Sequence, residues 1–178
     1  MKMGKFYQKG NDIINHDNKG KISAIIPIYG EDGRNCSRII FEDGTELIRN
    51  TSVKASIGLL FRLHGLDLKT LQRYYGEFFE SIHIPLPITY KTIMIPLRLR
   101  EPLGKHDGAI GYINYYHIDD LEVIEPEDIL GKEEVYITLN CEKKIKVHQI
   151  PKTTRTKINQ SKLVAILFSK NFRDDCMG

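Results

Sequence analysis

Apolar residues first gather at Ile22–Ile28, which predicts a strand ended by Pro27 and the turn residues Gly30-Glu31-Asp32-Gly33. Two shorter runs follow, Ser37–Phe41 and Thr45–Ile48, with Glu42-Asp43-Gly44 between them. Asp-Gly between apolar runs predicts a hairpin, because glycine accepts the positive φ of the turn. The period then changes. Val53, Ile57, Leu60, Phe61 and Leu63 recur at helical spacing after Ser52, a good capping residue, and Gly65 is placed to stop that helix. Asp67 predicts the cap of a second helix over Leu68–Phe79, with Leu68, Leu71, Tyr75 and Phe78 on one side. The two helices and the link His64-Gly65-Leu66-Asp67 make a tight helical corner.

Strand signals return in the second half. Pro85 and Pro87 bracket an extended entry. Thr92–Ile95 reads as a short strand ended by Pro96, Arg98–Asp107 as a polar loop, and Ala109–Ile118 as one longer strand rich in tyrosine and isoleucine. Pro126 and Gly131 mark turns around an acidic segment. Val135–Leu139 and Lys144–Ile150 flank Asn140-Cys141-Glu142-Lys143 as a second hairpin. Ile145 and Val147 alternate with Lys144, Lys146 and His148, so one face is expected in the core and the other is basic. A last helix is predicted from Thr153–Thr156 through Phe168, with Ile158, Leu163, Ile166 and Leu167 facing inward.

These elements predict an α+β protein: a mostly antiparallel sheet, a central pair of short helices and a C-terminal helix. Within 178 residues they divide into a polar N-terminal arm (1–20), one domain (21–168) and a frayed tail (169–178). No apolar run approaches the eighteen or so residues that cross a membrane. The polar start Met1–Gly20 does not resemble a secretion signal, and Cys36, Cys141 and Cys176 are scattered and odd in number. A cytoplasmic protein with reduced thiols is the expectation.

Net charge is only +3, but the charges are segregated. Leu121–Glu134 is acidic, whereas Lys143–Lys170 contains lysine and arginine and no Asp or Glu. A chain so divided is able to hold a polyanion while staying nearly neutral overall. One cationic group lies on the helical corner: Lys54, Arg62, Lys69 and Arg73. Lys69 and Arg73 are four apart, hence on one helix face, and not the face of Leu68, Leu71 and Tyr75. The other group comprises Lys143, Lys144, Lys146, Lys152, Arg155, Lys157 and Lys162, with Thr153, Thr154, Thr156 and Asn159 interleaved. Cations neutralise phosphates and hydroxyls donate to phosphate oxygens, so this composition suits a backbone-clamping surface.

Enzymatic chemistry has little to stand on. The chain lacks a phosphate-loop glycine motif and a nucleophile-elbow motif. Neither CxxC nor HExxH spacing is present, so no metal site and no cofactor are expected. His117 with Asp119 and Asp120 reads as a solvated turn. Tyr112, Tyr115 and Tyr116 read as core or half-buried sheet residues in preference to a base-stacking platform.

Three blocks carry a family resemblance. Glu31-Asp-Gly-Arg-Asn-Cys-Ser-Arg-Ile-Ile40 follows a short apolar strand. Pro87-Ile88, Ile93-Met-Ile-Pro96 and Gly111-Tyr-Ile-Asn-Tyr-Tyr-His-Ile118 come next in order, and the hairpin Glu134–Ile150 ends at Pro151. In order and spacing these resemble the ComK competence transcription factors over about residues 21–165, with Tyr112 standing where that family often has tryptophan. The resemblance implies a bacterial activator that binds double-stranded, AT-rich promoter DNA, largely through the minor groove, as a homo-oligomer. Contact with RNA polymerase is a further expectation for such an activator. By charge and placement, the residues expected to meet DNA are Arg62, Lys69, Arg73, Lys152, Arg155 and Lys157. The alternatives are a protein-interaction regulatory module, whose acidic and basic segments pair between copies, and a small enzyme using Cys36 and a histidine.

Overall fold

The computed structural model describes residues 14–79, 83–127 and 131–175, with side chains described through residue 170. Most of the expected N-terminal arm, Asp128 of the acidic segment and the terminal residues 176–178, Cys176 among them, lie outside the described residues.

The first two hairpins form as the turn residues dictate. β1 (Ile22–Tyr29), β2 (Asn35–Phe41) and β3 (Glu46–Arg49) are consecutive antiparallel neighbours. Helices α1 (Val53–Leu63) and α2 (Leu68–Gly76) follow, then β4 (Leu86–Thr89), β5 (Thr92–Arg98) and β6 (Ile110–Asn114). The chain returns to the first hairpin through β6, giving a six-stranded antiparallel sheet of order β3-β2-β1-β6-β5-β4. A turn of 3₁₀ helix (Tyr115–His117) leads to β7 (Ile118–Ile124), β8 (Glu134–Leu139) and β9 (Lys144–Val147), a second sheet of order β7-β8-β9. Helix α3 (Pro151–Asp175) ends the description.

The larger sheet is the middle of three layers. Ile25, Ile39 and Ile93 on one face pack with Ile57, Leu60 and Phe61 of α1 and Val164 of α3. Ala24, Ile26, Ile40 and Ile113 on the other face pack with Val135, Ile137, Ile145 and Val147 of the small sheet. Burial on both faces explains why β1 reads as a continuous apolar run, while β8 and β9 alternate core with solvent. Ile14 is also buried in the first core, and Lys19 Nζ donates to Leu63 O at 2.6 Å, so the last residues of the expected arm are part of the fold.

Several boundaries differ from expectation. Pro27 and Pro96 lie within β1 and β5 rather than ending them. Each pairs on one side only: Pro27 with Ser37 of β2, past the last partner on β6, and Pro96 with Tyr112 of β6, past the last partner on β4. A proline is tolerated where the ladder on one side has already stopped. The tyrosine-rich run is not one strand. Asn114, fully buried, ends it: its Oδ1 accepts from Ile93 N (3.2 Å) and Tyr116 N (3.3 Å), and its Nδ2 donates to Lys91 O (3.1 Å). The chain turns there and crosses to the small sheet. The residues 118–124 then form β7, where acidic side chains had suggested only turns. The second helix stops at Gly76 instead of Phe79.

Helix α3 differs in both length and facing. It begins at Pro151, a favoured first helical position, and runs to Asp175, past the Phe168 boundary expected for the domain. Its buried positions include Thr154, Ser161, Val164 and Ala165, while Leu163 and Ile166 are 45% and 47% exposed. Ile158 and Leu167 pack partly buried against the cores as expected, so the inward face is shared by small, hydroxylated and some branched residues.

The seam between β1 and β6 joins the two halves of the large sheet through only two register pairs, Ala24↔Ile113 and Ile25↔Tyr112. Gly111 makes the seam possible. A Cβ there would lie 2.6 Å from Ile25 O, 2.7 Å from Leu99 Cδ1 and 2.8 Å from Pro27 Cδ. Gly111→Ala is expected to destabilise the protein by about 1–3 kcal/mol, the scale of overpacking a tight site; urea unfolding of the two proteins measures it, and an unchanged midpoint would contradict the crowding.

The crossover carries a titratable joint. Nδ1 of His117 shares a 2.7 Å hydrogen bond with the hydroxyl of the buried Ser23 in β1. Burial lowers the imidazole pKa, partly offset by the charge of Glu42. Below its ordinary value of about 6.5 the unfolded chain takes up a proton that the folded site resists. Stability is therefore full above that pH and is lost as the pH falls through the folded value. His83 shifts in the same direction, so His117→Gln is expected to make the fall of the unfolding midpoint between neutral and mildly acid pH shallower without abolishing it.

Candidate nucleic-acid interface

The helical corner is built by local rules. The Ser52 hydroxyl accepts from Ala55 N at 3.3 Å and caps α1. At the other end Gly65 N–H donates to Arg62 O and Leu66 N–H to Phe61 O, both at 3.0 Å, with Gly65 at φ +68°. That paired closure needs a left-handed residue, which glycine supplies without strain. Asp67 Oδ1 then accepts from Thr70 N at 2.7 Å and starts α2. Val53, Ile57, Leu60 and Phe61 of α1, with Leu68, Leu71 and Tyr75 of α2, turn to the core. The residues left outside include Lys54, Arg62, Lys69 and Arg73, all exposed. Among the described residues none of these four has a carboxylate within 4 Å.

Electrostatics register this surplus. The Asp67 carboxyl pKa is held low by its hydrogen bonds with Thr70, with help from the charges of Lys69 and Arg73. The Arg49 guanidinium is pulled below its usual value by burial and then by the charge of Arg62. Beside the cations stand two exposed rings, Tyr74 and Phe78, edge to face at 5.9 Å.

The second group of cations is divided by the fold. β9 is separated from acidic β7 by the single strand β8, so the segregated charges of the sequence meet across one small sheet. Lys144 pairs with Glu122, Lys146 with Glu134, and Lys143 with Glu46 at 2.9 Å. Tyr136 lies between the strands, its ring centre 4.7 Å from Lys144 Nζ. The acidic and basic segments therefore answer each other within one chain. Lys157 donates to the His83 carbonyl, and burial lowers its pKa. Lys152 and Arg155, on the first turns of α3, are exposed and without a carboxylate within 4 Å among the described residues.

The interleaved hydroxyls are largely spent inside α3. Thr154 is buried and donates to Ile150 O at 3.3 Å, and Thr156 donates to Lys152 O at 2.9 Å. Further along the helix, Lys162, Ile166 and Lys170 line a shallow groove of about 420 Å³ with Tyr115 and Tyr116. Tyr112 and Tyr115 are half-buried against the cores, as a sheet residue and a corner residue, while Tyr116 is 41% exposed.

Cys36 is buried, and its thiol lies 3.8 Å from Asn50 Oδ1. Among the described residues no three His, Cys, Asp or Glu side chains are grouped to hold a metal, and no helix is long and apolar enough to cross a membrane.

Arg100 is the residue that sequence reasoning passed over, as one cation of a polar loop. It is only 8% exposed. Its guanidinium lies 4.0 Å from the Tyr29 ring centre and donates to Ile28 O (3.0 Å), Asn35 Oδ1 (2.6 Å) and Gly108 O. The available signal was the alternation Arg98-Leu99-Arg100, but an alternating arginine at a strand end has no sequence mark of burial.

Neither the protein-family models nor the curated proteins compared with this chain match it.

Proposed function

We propose that this chain is a DNA-binding transcriptional regulator, an activator of the ComK type that takes AT-rich promoter DNA as an oligomer. The observation that carries the reading is the contrast between two sets of cations. Lysines on the small sheet have carboxylates of the same chain as partners, whereas Lys54, Arg62, Lys69 and Arg73 share one helical corner with none within 4 Å among the described residues. Exposed like charges repel one another, and a polyanion that neutralises them relieves the repulsion and releases its own counterions. Two helices joined by a tight glycine-containing turn, with a basic outer face, are a shape that docks on a duplex groove. Lys152 and Arg155 would extend the footprint onto α3. Arginine and lysine favour the narrow minor groove of AT tracts, where negative potential is concentrated. Lys157, engaged with His83, contributes to this surface less directly than its neighbours.

Binding of labelled AT-rich and GC-rich duplexes, followed by fluorescence anisotropy over a salt series, tests the reading. Affinity is expected to be higher for the AT-rich duplex and to fall linearly with salt on logarithmic axes. Replacing Lys69 and Arg73 together by alanine should flatten that slope by about 2, roughly one for each phosphate that these side chains neutralise. Lys144→Ala, which removes a lysine paired with Glu122, should leave affinity and slope unchanged. Absence of salt-dependent binding to any duplex refutes the proposal.

A further inference from the structure

Where the β1–β6 seam stops, the sheet opens. Pro27 has no N–H to continue the ladder, and past Ile25 no register pair joins the two strands. Arg100 enters this opening and donates to Ile28 O at 3.0 Å. Beneath α1, beside the same opening, lies a cleft of about 620 Å³, within the range of small-molecule sites. Its walls carry Arg100, Lys54 and His106 together with apolar Ile57, Leu68 and Tyr112, and among the described residues no Asp or Glu lines it.

We propose that this cleft binds a small molecule with an oxyanion head and an apolar body, the head against Arg100 and Lys54. Arginine has five N–H donors, of which the contacts to Ile28, Asn35 and Gly108 occupy three. Among those left, Nε is buried without a partner. Burying a cation is costly unless it is paired, yet among the described residues no carboxylate lies within 4 Å of Arg100. The Tyr29 ring at 4.0 Å offsets part of that cost directly, and the compensation from a carboxylate is indirect. Asp107 accepts from Tyr29 OH (2.7 Å) and Asn35 Nδ2 (3.1 Å), the two groups that also touch Arg100. This relay orients the guanidinium and leaves the cleft side of the network cationic. Carboxylate and phosphate heads share the chemistry that an arginine fork recognises, and the apolar walls select a body attached to it. The site does not depend on the DNA-binding reading.

Phenyl phosphate is a suitable probe, with inorganic phosphate, benzoate and benzyl alcohol as comparisons, and thermal unfolding of the full chain as the readout. A ligand that binds only the folded state raises the midpoint with concentration. Phenyl phosphate should raise it saturably, benzyl alcohol should not, and inorganic phosphate should act more weakly; benzoate shows whether the head is read as phosphate in particular or as any oxyanion. Lys54 is exposed, so Lys54→Glu should fold and weaken phenyl phosphate by about tenfold, one charge-assisted contact's worth. Ala109→Phe, which fills the cleft wall, should also abolish the shift. The double alanine variant of Lys69 and Arg73 should keep it, separating this site from the outer surface of α2. No shift in the parent protein, an equal shift in Lys54→Glu, or an equal response to bare phosphate would overturn the proposal.

Discussion

Everything in this fold passes through the seam between β1 and β6. Two register pairs hold the first hairpin unit to the later one, and they hold only because Gly111 lets the backbone of β6 press against Ile25 O and the Pro27 ring. Once that contact exists, both faces of a six-stranded sheet become available, and each must be covered. The helices and α3 cover one, the small sheet the other. The same seam cannot be extended, because Pro27 has no donor. Its short length thus creates the opening that Arg100 spans and the cleft beside it. Stability and a candidate ligand site arise from one local constraint.

The crossover from the large sheet to the small one is the second point of control. Asn114 ends β6 by offering its side chain to three backbone groups, and His117 ties the turn back to Ser23 of β1. Buried polar groups of this kind are stable only when satisfied, so they specify one path for the chain rather than merely adding energy. With that path set, β8 sits at the centre of the small sheet and β9 beyond it, within reach of carboxylates on β7 and β8. Of the basic segment, Lys144 and Lys146 are for that reason answered by carboxylates, as Lys143 is by Glu46, while among the described residues Lys152 and Arg155 on α3 have none within 4 Å. Among the described residues, cations without a carboxylate within 4 Å also gather on the α1–α2 corner, whose inner face is used up by the core.

Some of this was legible along the chain, and the limits have physical causes. The caps at Ser52 and Asp67 and the closure at Gly65 act within a few residues, so sequence spacing located them. The Asp43-Gly44 hairpin and the alternation in β9 are equally local. The expected inward face of α3 was partly wrong. Leu163 and Ile166 are exposed while Thr154 and Ser161 are fully buried beside Val164, and Ile158 and Leu167 pack against the cores as expected. Pro96 and Pro27 looked like strand ends because proline lacks a donor, but that loss costs nothing where the neighbouring strand has already departed.

The amino-acid order by itself determined most of the element types, β7 and the turn at Tyr115–His117 excepted, the helical corner with its basic outer face, the antiparallel α+β character and the segregation of charge. Those depend on period, capping and turn chemistry, interactions that span at most a turn or a hairpin. Only the tertiary structure decided which charges are answered, that Arg100 is buried, and that a cleft opens beneath α1. These depend on distances between residues such as Lys144 and Glu122, or Arg100 and Ile28, which lie far apart in the chain and meet only after the seam and the crossover have placed their strands.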